Sequence, residues 1–246
     1  MSRPQPRELV VIRKQNITPN MLRITLGGEN IQTIPEDQES GYVKLIFPKE
    51  GQKPLFRTYT IRHQRAHEID IDFVLHDDAG PASSWAKQAK ADDIILVGGP
   101  GPKKLIEEST DWHILVGDMT ALPAISVNLE KLPTHAKGYA VIEVTSKEDI
   151  QPLKHPSGIK LKWVVNPHPG ENSHALLDEV KSLAWLPGSV SAWVACEFSA
   201  MKTLRNFFKN DVKLEKDNFY ISSYWKLGIN EDQHKEVKRE DTELSL

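Results

Sequence analysis

The chain has one cysteine, Cys196, in 246 residues. No internal disulfide is possible, and an iron–sulfur cluster held by its own thiolates, which takes about four of them, is excluded. The nine histidines are scattered, and none forms a His-x-x-x-His pair on a helical stretch. A structural zinc site is therefore not expected. Long apolar runs are also missing: Ile94 to Val97 and Ile114 to Val116 are far too short to span a bilayer. The net charge of -3 gives no general attraction to nucleic acid or an anionic membrane. The opening Met-Ser-Arg-Pro-Gln-Pro-Arg lacks the apolar core of a signal peptide, so a cytoplasmic location is the default expectation. Without thiolate or histidine clusters, any redox chemistry needs an organic electron carrier.

What is present divides into two patterns. Through about residue 100, short β-branched runs are separated by turn-formers: Leu9–Ile12, Met21–Leu26, Tyr42–Phe47, Arg57–Arg62, Glu68–Leu75 and Ile94–Val97. Six such strands predict a small antiparallel barrel. A helical stretch, Ala82 to Lys90, is inserted before the last strand. Gly98-Gly99-Pro100-Gly101-Pro102 reads as a sharply bent linker. Beyond it, apolar runs alternate with amphipathic segments. The reading is strand 112–117, helix 120–131, strand 138–145, strand 160–165, helix 173–183, strand 191–196, helix 199–210 and strand 218–223. That alternation predicts a parallel sheet covered on both faces. The expected division is 1–101, 102–228 and a polar C-terminal tail, 229–246, with at most one helical piece and no chemistry.

In the first half, Arg57-Thr58-Tyr59-Thr60-Ile61-Arg62 stands out. Alternation sends Arg57, Tyr59 and Ile61 to one face and Thr58, Thr60 and Arg62 to the other. A guanidinium suits phosphate and a phenol ring suits stacking, so the strand is either a ligand-holding strand or an edge strand with solvated arginines. After Asp72-Phe73-Val74-Leu75-His76 comes Asp77-Asp78-Ala79-Gly80-Pro81, then Ala82-Ser83-Ser84-Trp85. Pro81 fits a first helical position. The N–H groups and hydroxyls that follow are either an anion site or simple capping by Ser83 or Ser84. His76, at a strand end, is expected to touch a ligand as a hydrogen-bonding or stacking group.

In the second half, Gly117-Asp118-Met119-Thr120-Ala121 joins a strand to a helix where open α/β sheets bind ligands. With one glycine, it is not the Gly-x-Gly-x-x-Gly fingerprint. Val194-Ala195-Cys196-Glu197-Phe198-Ser199-Ala200-Met201 is a second such junction. Cys196 reads as a small buried group. Tyr224-Trp225, past the last strand, either closes over a planar ligand or packs an internal interface.

Arg57-Thr58-Tyr59-Thr60 followed by a nucleotide-type α/β half resembles the flavin and nicotinamide reductases that include ferredoxin–NADP reductases. With Gly80-Pro81-Ala82-Ser83-Ser84-Trp85, Gly98-Gly99-Pro100, Gly117-Asp118-x-Thr120-Ala121-Leu122-Pro123-Ala124 and Tyr224-Trp225-Lys226-x-Gly228, residues 7 to 228 resemble the siderophore-interacting proteins. These are FAD-dependent ferric-siderophore reductases of bacterial iron uptake. The resemblance implies an FAD-binding barrel in which Arg57 pairs with phosphate, Tyr59 stacks on the isoalloxazine and Thr60 hydrogen-bonds the flavin ring. It adds Thr58, Phe73, Val74, His76, Gly80, Ala82, Ser83, Ser84, Tyr224 and Trp225 to the FAD contacts. Gly117, Asp118, Thr120, Ala121, Glu197 and Met201 would receive NADH or NADPH. Met119 and Cys196-Glu197 depart from the family pattern. An anionic ferric siderophore would be met by Lys44 and Lys226, with Lys103 or Lys104 secondary. Lys44 also suits an ordinary solvent-facing position. The expected protein is a cytoplasmic monomer with no nucleic-acid partner and no membrane span. A general flavin reductase and a non-enzymatic siderophore binder are the alternatives, and the extended C-terminus leans toward NADH. Arg57 and Tyr59 share a face that Thr60 does not, so strand pairing is expected to break close to Thr60.

Overall fold

Alternation of inward apolar and outward polar residues builds the first half. The computed structural model describes residues 5–49, 51–76 and 80–243. Its first strands are β1 (Arg7–Thr18), β2 (Met21–Gly27), β3 (Tyr42–Phe47), β4 (Leu55–Arg65), β5 (Glu68–Val74) and β6 (Ile94–Gly101). They close into a barrel in the order β1-β2-β5-β4-β3-β6, all neighbours antiparallel, as the strand pattern predicts. Leu9, Val11, Val43, Leu45, Ile61, Ile69, Ile71 and Phe73 fill the interior. Each such side chain contributes about 1.5–3 kcal/mol relative to exposure. The outer face is laced by charge. Arg13 and Arg65 donate to Glu68, Arg65 also donates to Asp70, and Arg23 donates to Asp72.

Helix α1 (Pro81–Gln88) buries Ala82, Ser83 and Ala86, whose small side chains let it lie close on the barrel. Trp85 adds ring contacts to Phe73 at 5.9 Å and Phe47 at 6.1 Å. The segment from Gly98 bends as its composition predicts, with Gly99 at φ 102° and a register shift against β3, yet β6 continues through it to Gly101, which pairs with Tyr42. A Cβ at Gly101 would stand 2.0 Å from the Tyr42 ring. The missing side chain lets the strand run under that ring.

The chain divides into two compact units, Met1–Lys104 and Leu105–Leu246. The second contains β7 (Trp112–Gly117), α2 (Leu122–Lys131), β8 (Lys137–Val144), β9 (Gly158–Val165), α3 (Ala175–Ser182), β10 (Val190–Glu197), α4 (Phe198–Asn206) and β11 (Phe219–Trp225). These strands form a parallel sheet in the order β11-β10-β7-β8-β9. β7 and β10 are buried along their whole length, which is why they read as continuous apolar runs rather than alternating ones. α4 passes into a π-helical turn at Phe207–Asp211, so two helix types cover the span read as one helix. No helix among the described residues is long and apolar enough to cross a membrane.

The polar C-terminus is more than a tail. Helix α5 (Glu231–Glu243) docks through polar contacts. His234 is buried, with Nε2 2.9 Å from Ser223 Oγ. Lys238 Nζ donates to Ser222 Oγ at 2.6 Å and Ser223 O at 3.1 Å, and Arg205 forks onto Asp241 at 2.5 and 2.7 Å. Hydropathy does not register such docking. Burial, with Lys238 adding to it, lowers the His234 imidazole to about 4. The unfolded chain takes up this proton near the ordinary histidine value, so the site loses stability as pH falls from about 6.5 toward 4. His234→Gln keeps a group able to meet Ser223 but cannot titrate. Its thermal-unfolding midpoint should fall less steeply than wild type over that range, and identical slopes would refute the assignment.

Candidate functional site

In the first unit, Arg57, Thr58, Tyr59 and Thr60 sit on β4 opposite Leu45, Lys44, Val43 and Tyr42 of β3. This ladder is regular through Thr60. On the other side, pairing with β5 begins only at Ile61 and shifts register before His63. The expected break near Thr60 therefore exists on the β5 side and not on the β3 side. Ile61 N–H donates to Gly41 O at 2.8 Å, which sets the phase of the strand. Thr58 and Thr60 accordingly direct their backbone groups to the side where β5 has not begun.

Side chains follow the same phase. The half-buried Tyr59 ring lies 4.4 Å from Phe73 at 38°. Phe73 is itself wholly buried, and its ring backs Tyr59 from inside the barrel. Arg57 is half-buried, and its Nη1 donates to Phe56 O at 2.8 Å, which steadies the guanidinium beside its own strand. Thr58 and Lys44 are exposed on the outer face, so the lysine takes an ordinary alternate position between buried Val43 and Leu45. Lys103 is paired with Asp37 at 2.5 Å.

The start of α1 completes this set. Gly80 occupies the capping position without a side chain, so neither serine is the cap. Pro81 leads the helix and Ser84 N–H returns to Gly80 O at 2.9 Å. Ser83 is buried, yet its Oγ lies 3.4 Å from Val74 O, longer than an ordinary hydroxyl hydrogen bond. An uncapped helix start with a weakly satisfied buried hydroxyl fits an anion. His76 is exposed, and its carbonyl accepts from Lys87 Nζ at 3.0 Å. Asp77, Asp78 and Ala79 lie outside the described residues. A guanidinium, a backed phenol ring and an open helix start suit a ligand with a phosphate group and a planar ring.

The second unit differs from the sequence reading. Asp118, at the end of β7, is 4% exposed and accepts four hydrogen bonds. They come from Thr120 N–H and O–H, Glu197 N–H and the Trp225 indole N–H. It ties the ends of β7, β10 and β11 together. Gly117 is a packing glycine: a Cβ there would meet Ala195 O at 2.5 Å and Ala121 Cβ at 2.8 Å. Ala121 and Met201 are buried in the core. Glu197 caps α4 through Ser199 and Ala200 N–H and accepts Leu227 N–H at 3.2 Å. The helix start read as a nucleotide site therefore already holds the chain's own carboxylate. Thr120 is half-buried at the head of α2.

Two residues that sequence reading missed stand beside this clasp. Glu143 interrupts the apolar run Ala140-Val141-Ile142, and that lone charge was the available signal. Its Oε2 accepts from Asn166 Nδ2 at 3.1 Å. Burial raises the Glu143 carboxyl to about 7, with the charges of Asp118 and Glu197 adding to the shift. Burial pushes the Cys196 thiol well up, and the same three carboxylates reinforce it, so it is no nucleophile. Tyr224 packs edge-on to Trp193 at 6.4 Å within its own unit, so its ring is engaged there. Lys226 Nζ lies 4.7 Å from the centre of the Phe198 ring.

Comparison with known proteins follows this division. Residues 110–228 match the family model described as siderophore-interacting protein. Residues 10–55 and 48–104 match the siderophore-interacting FAD-binding domain. Ferric vibriobactin reductase ViuB of Vibrio cholerae is 38% identical, with 97% of this chain and 96% of the relative covered. The crystal structure of the siderophore-interacting protein SipS from Aeromonas hydrophila superposes with a TM-score of 0.87 at 30% identity, covering 97% and 98%. Ferredoxin-NADP+ reductase from Plasmodium falciparum shares the fold, with a TM-score of 0.67 at 16% identity, covering 89% and 96%.

Two outcomes test these arrangements. Arg57→Ala should weaken FAD retention about tenfold or more, read by flavin fluorescence titration, with the melting curve little changed. Asp118→Ala strands buried donors and should cost about 3 kcal/mol or more in chemical denaturation. A loss under about 1 kcal/mol would remove the clasp from the account.

Proposed function

The chain belongs to the siderophore-interacting protein family, and on that basis we propose that it is an FAD-dependent ferric-siderophore reductase driven by NAD(P)H. One observation carries the reading. Arg57, the Phe73-backed Tyr59 and the uncapped, Ser83-bearing start of α1 occur in one unit, beside a strand edge that β5 leaves at Ile61. These groups fit FAD. Arg57 and the N–H groups of Ala82 and Ser83 would meet the phosphates, Tyr59 would stack on the ring system, and the edge at Thr60 would offer it hydrogen bonds. Thr58, Val74, His76, Gly80 and Ser84 border the same region in sequence.

The chemistry supplied by bound FAD is the conversion of a hydride donor into single-electron delivery to Fe(III). The protein's task is to hold, orient and shield. Phe73 fixes the tilt of Tyr59 from inside the core, so the stacking surface costs little to order. Arg57 offers a planar fork of donors that matches a phosphate. The second unit receives the nicotinamide nucleotide over the carboxyl ends of its parallel strands. No protein ligand to iron is needed. Oxygen donors hold Fe(III) better than Fe(II), so reduction itself loosens the chelate. Lys44 on the barrel and Lys226 in the second unit each offer a cation to an anionic chelate. We place the protein in the cytoplasm, acting as a monomer.

The test is anaerobic. The yellow protein is mixed with NADH or NADPH, followed by a ferric siderophore and a ferrous trap. Flavin bleaching by a nucleotide, then Fe(II) appearing with flavin reoxidation, is the expected sequence. Bleaching without Fe(II) from any chelate would favour a general flavin reductase. Chelate binding without bleaching by either nucleotide would favour a siderophore binder.

A further inference from the structure

The parallel sheet reverses its strand order between β7 and β10, with β8 and β9 on one side and β11 on the other. A dinucleotide in this topology lies across that crevice. The end of the second strand meets the adenosine ribose: an acid there takes the 2′-hydroxyl, and a cation there accommodates a 2′-phosphate. The second strand is β8, and the side chain near its end is Glu143.

Glu143 is 6% exposed. Its Oε2 accepts from Asn166, while Oε1 has no hydrogen-bond partner among the described residues. Asn166 is fixed from behind: its N–H donates to Val144 O at 2.8 Å, and its Oδ1 accepts His168 N–H at 3.2 Å. With its oxygen occupied, Asn166 can only present its NH₂ group to Glu143. The acid is therefore oriented by a neutral amide rather than by a cation. Asp118 and Glu197 act on it electrostatically and are themselves carboxylates. The unit contains two arginines, Arg205 and Arg239. Arg205 is committed to Asp241, and Arg239 belongs to α5. After β8 the chain runs Lys147-Glu148-Asp149, so the one lysine of that turn is followed by two acids.

We propose that Glu143, oriented by Asn166, selects NADH over NADPH by taking the adenosine 2′-hydroxyl through Oε1 and rejecting a 2′-phosphate. This rests on the reading that the second unit receives a nicotinamide nucleotide. Discrimination comes from an acceptor that no donor of the described residues meets, for the correct ligand, and, above about pH 7 where Glu143 is ionised, from like-charge repulsion of the wrong one.

The test is calorimetric binding of ADP-ribose and 2′-phospho-ADP-ribose to the FAD-loaded protein, with no turnover. Wild type should bind ADP-ribose about tenfold or more tightly than its phosphorylated form. Glu143→Gln should shrink that ratio to about threefold or less, and Asn166→Arg, which brings a cation to the same place, should raise affinity for the phosphorylated ligand about tenfold. Flavin content and melting temperature show which variants are folded. Equal binding of the two ligands by wild type would overturn the inference and leave the reductase reading standing. So would an unchanged ratio in Asn166→Arg, even if Glu143→Gln does not fold. Failure of both ligands to bind would remove the inference together with the nucleotide reading.

Discussion

The β4–β5 ladder stops at Ile61, and the first unit's capacity to hold a ligand depends on that stop. A closed barrel normally leaves no strand edge, because every backbone group finds a neighbour. Here β3 pairs with β4 along its length, while β5 joins only beyond Thr60. Backbone groups need partners wherever water is excluded, so an edge beside a half-buried tyrosine and an arginine is suited to a polar, planar occupant. The core supports the edge from within. Phe73 sets the Tyr59 ring, Trp85 packs on Phe73, and α1 carries Trp85 to that position while presenting its own open start.

The second unit solves the opposite problem. Its strand ends are closed by the chain itself. Asp118 gathers donors from three strand ends, and Glu197 satisfies the start of α4. Buried carboxylates so heavily hydrogen-bonded hold the rim of the sheet rigid; Glu197 occupies the start of α4, while the start of α2 has no side-chain cap. Glu143 is the carboxylate of this group with an oxygen still to be used. Burial, with the charges of Asp118 and Glu197 adding to it, raises that carboxyl to about 7.

Much of this was legible in the sequence. Short β-branched runs bounded by turn-formers located the six barrel strands, and continuous apolar runs located β7 and β10, which are buried on both faces. The residue types of Arg57 and Tyr59 named their chemistry. What was not legible depends on partners distant in sequence. Nothing local says that Phe73 faces inward behind Tyr59, or that Asp118 meets an indole N–H 107 positions away. The Gly98–Gly101 stretch read as a bent linker, and it does bend at Gly99, but nothing local says that it also stays in the barrel ladder under the Tyr42 ring. α5 looked like a tail because its docking is polar, through His234, Lys238 and Asp241.

The most direct measurement is hydrogen–deuterium exchange on the same protein with FAD bound and with FAD stripped. If the open side of β4 and the start of α1 hold the flavin, binding should slow exchange at residues 55–60 and 82–84. The β1–β2 pair, whose ladder runs from Val10–Gly27 to Thr18–Met21, should change little. Unchanged exchange at β4 and α1, with protection appearing elsewhere on the barrel, would contradict the account.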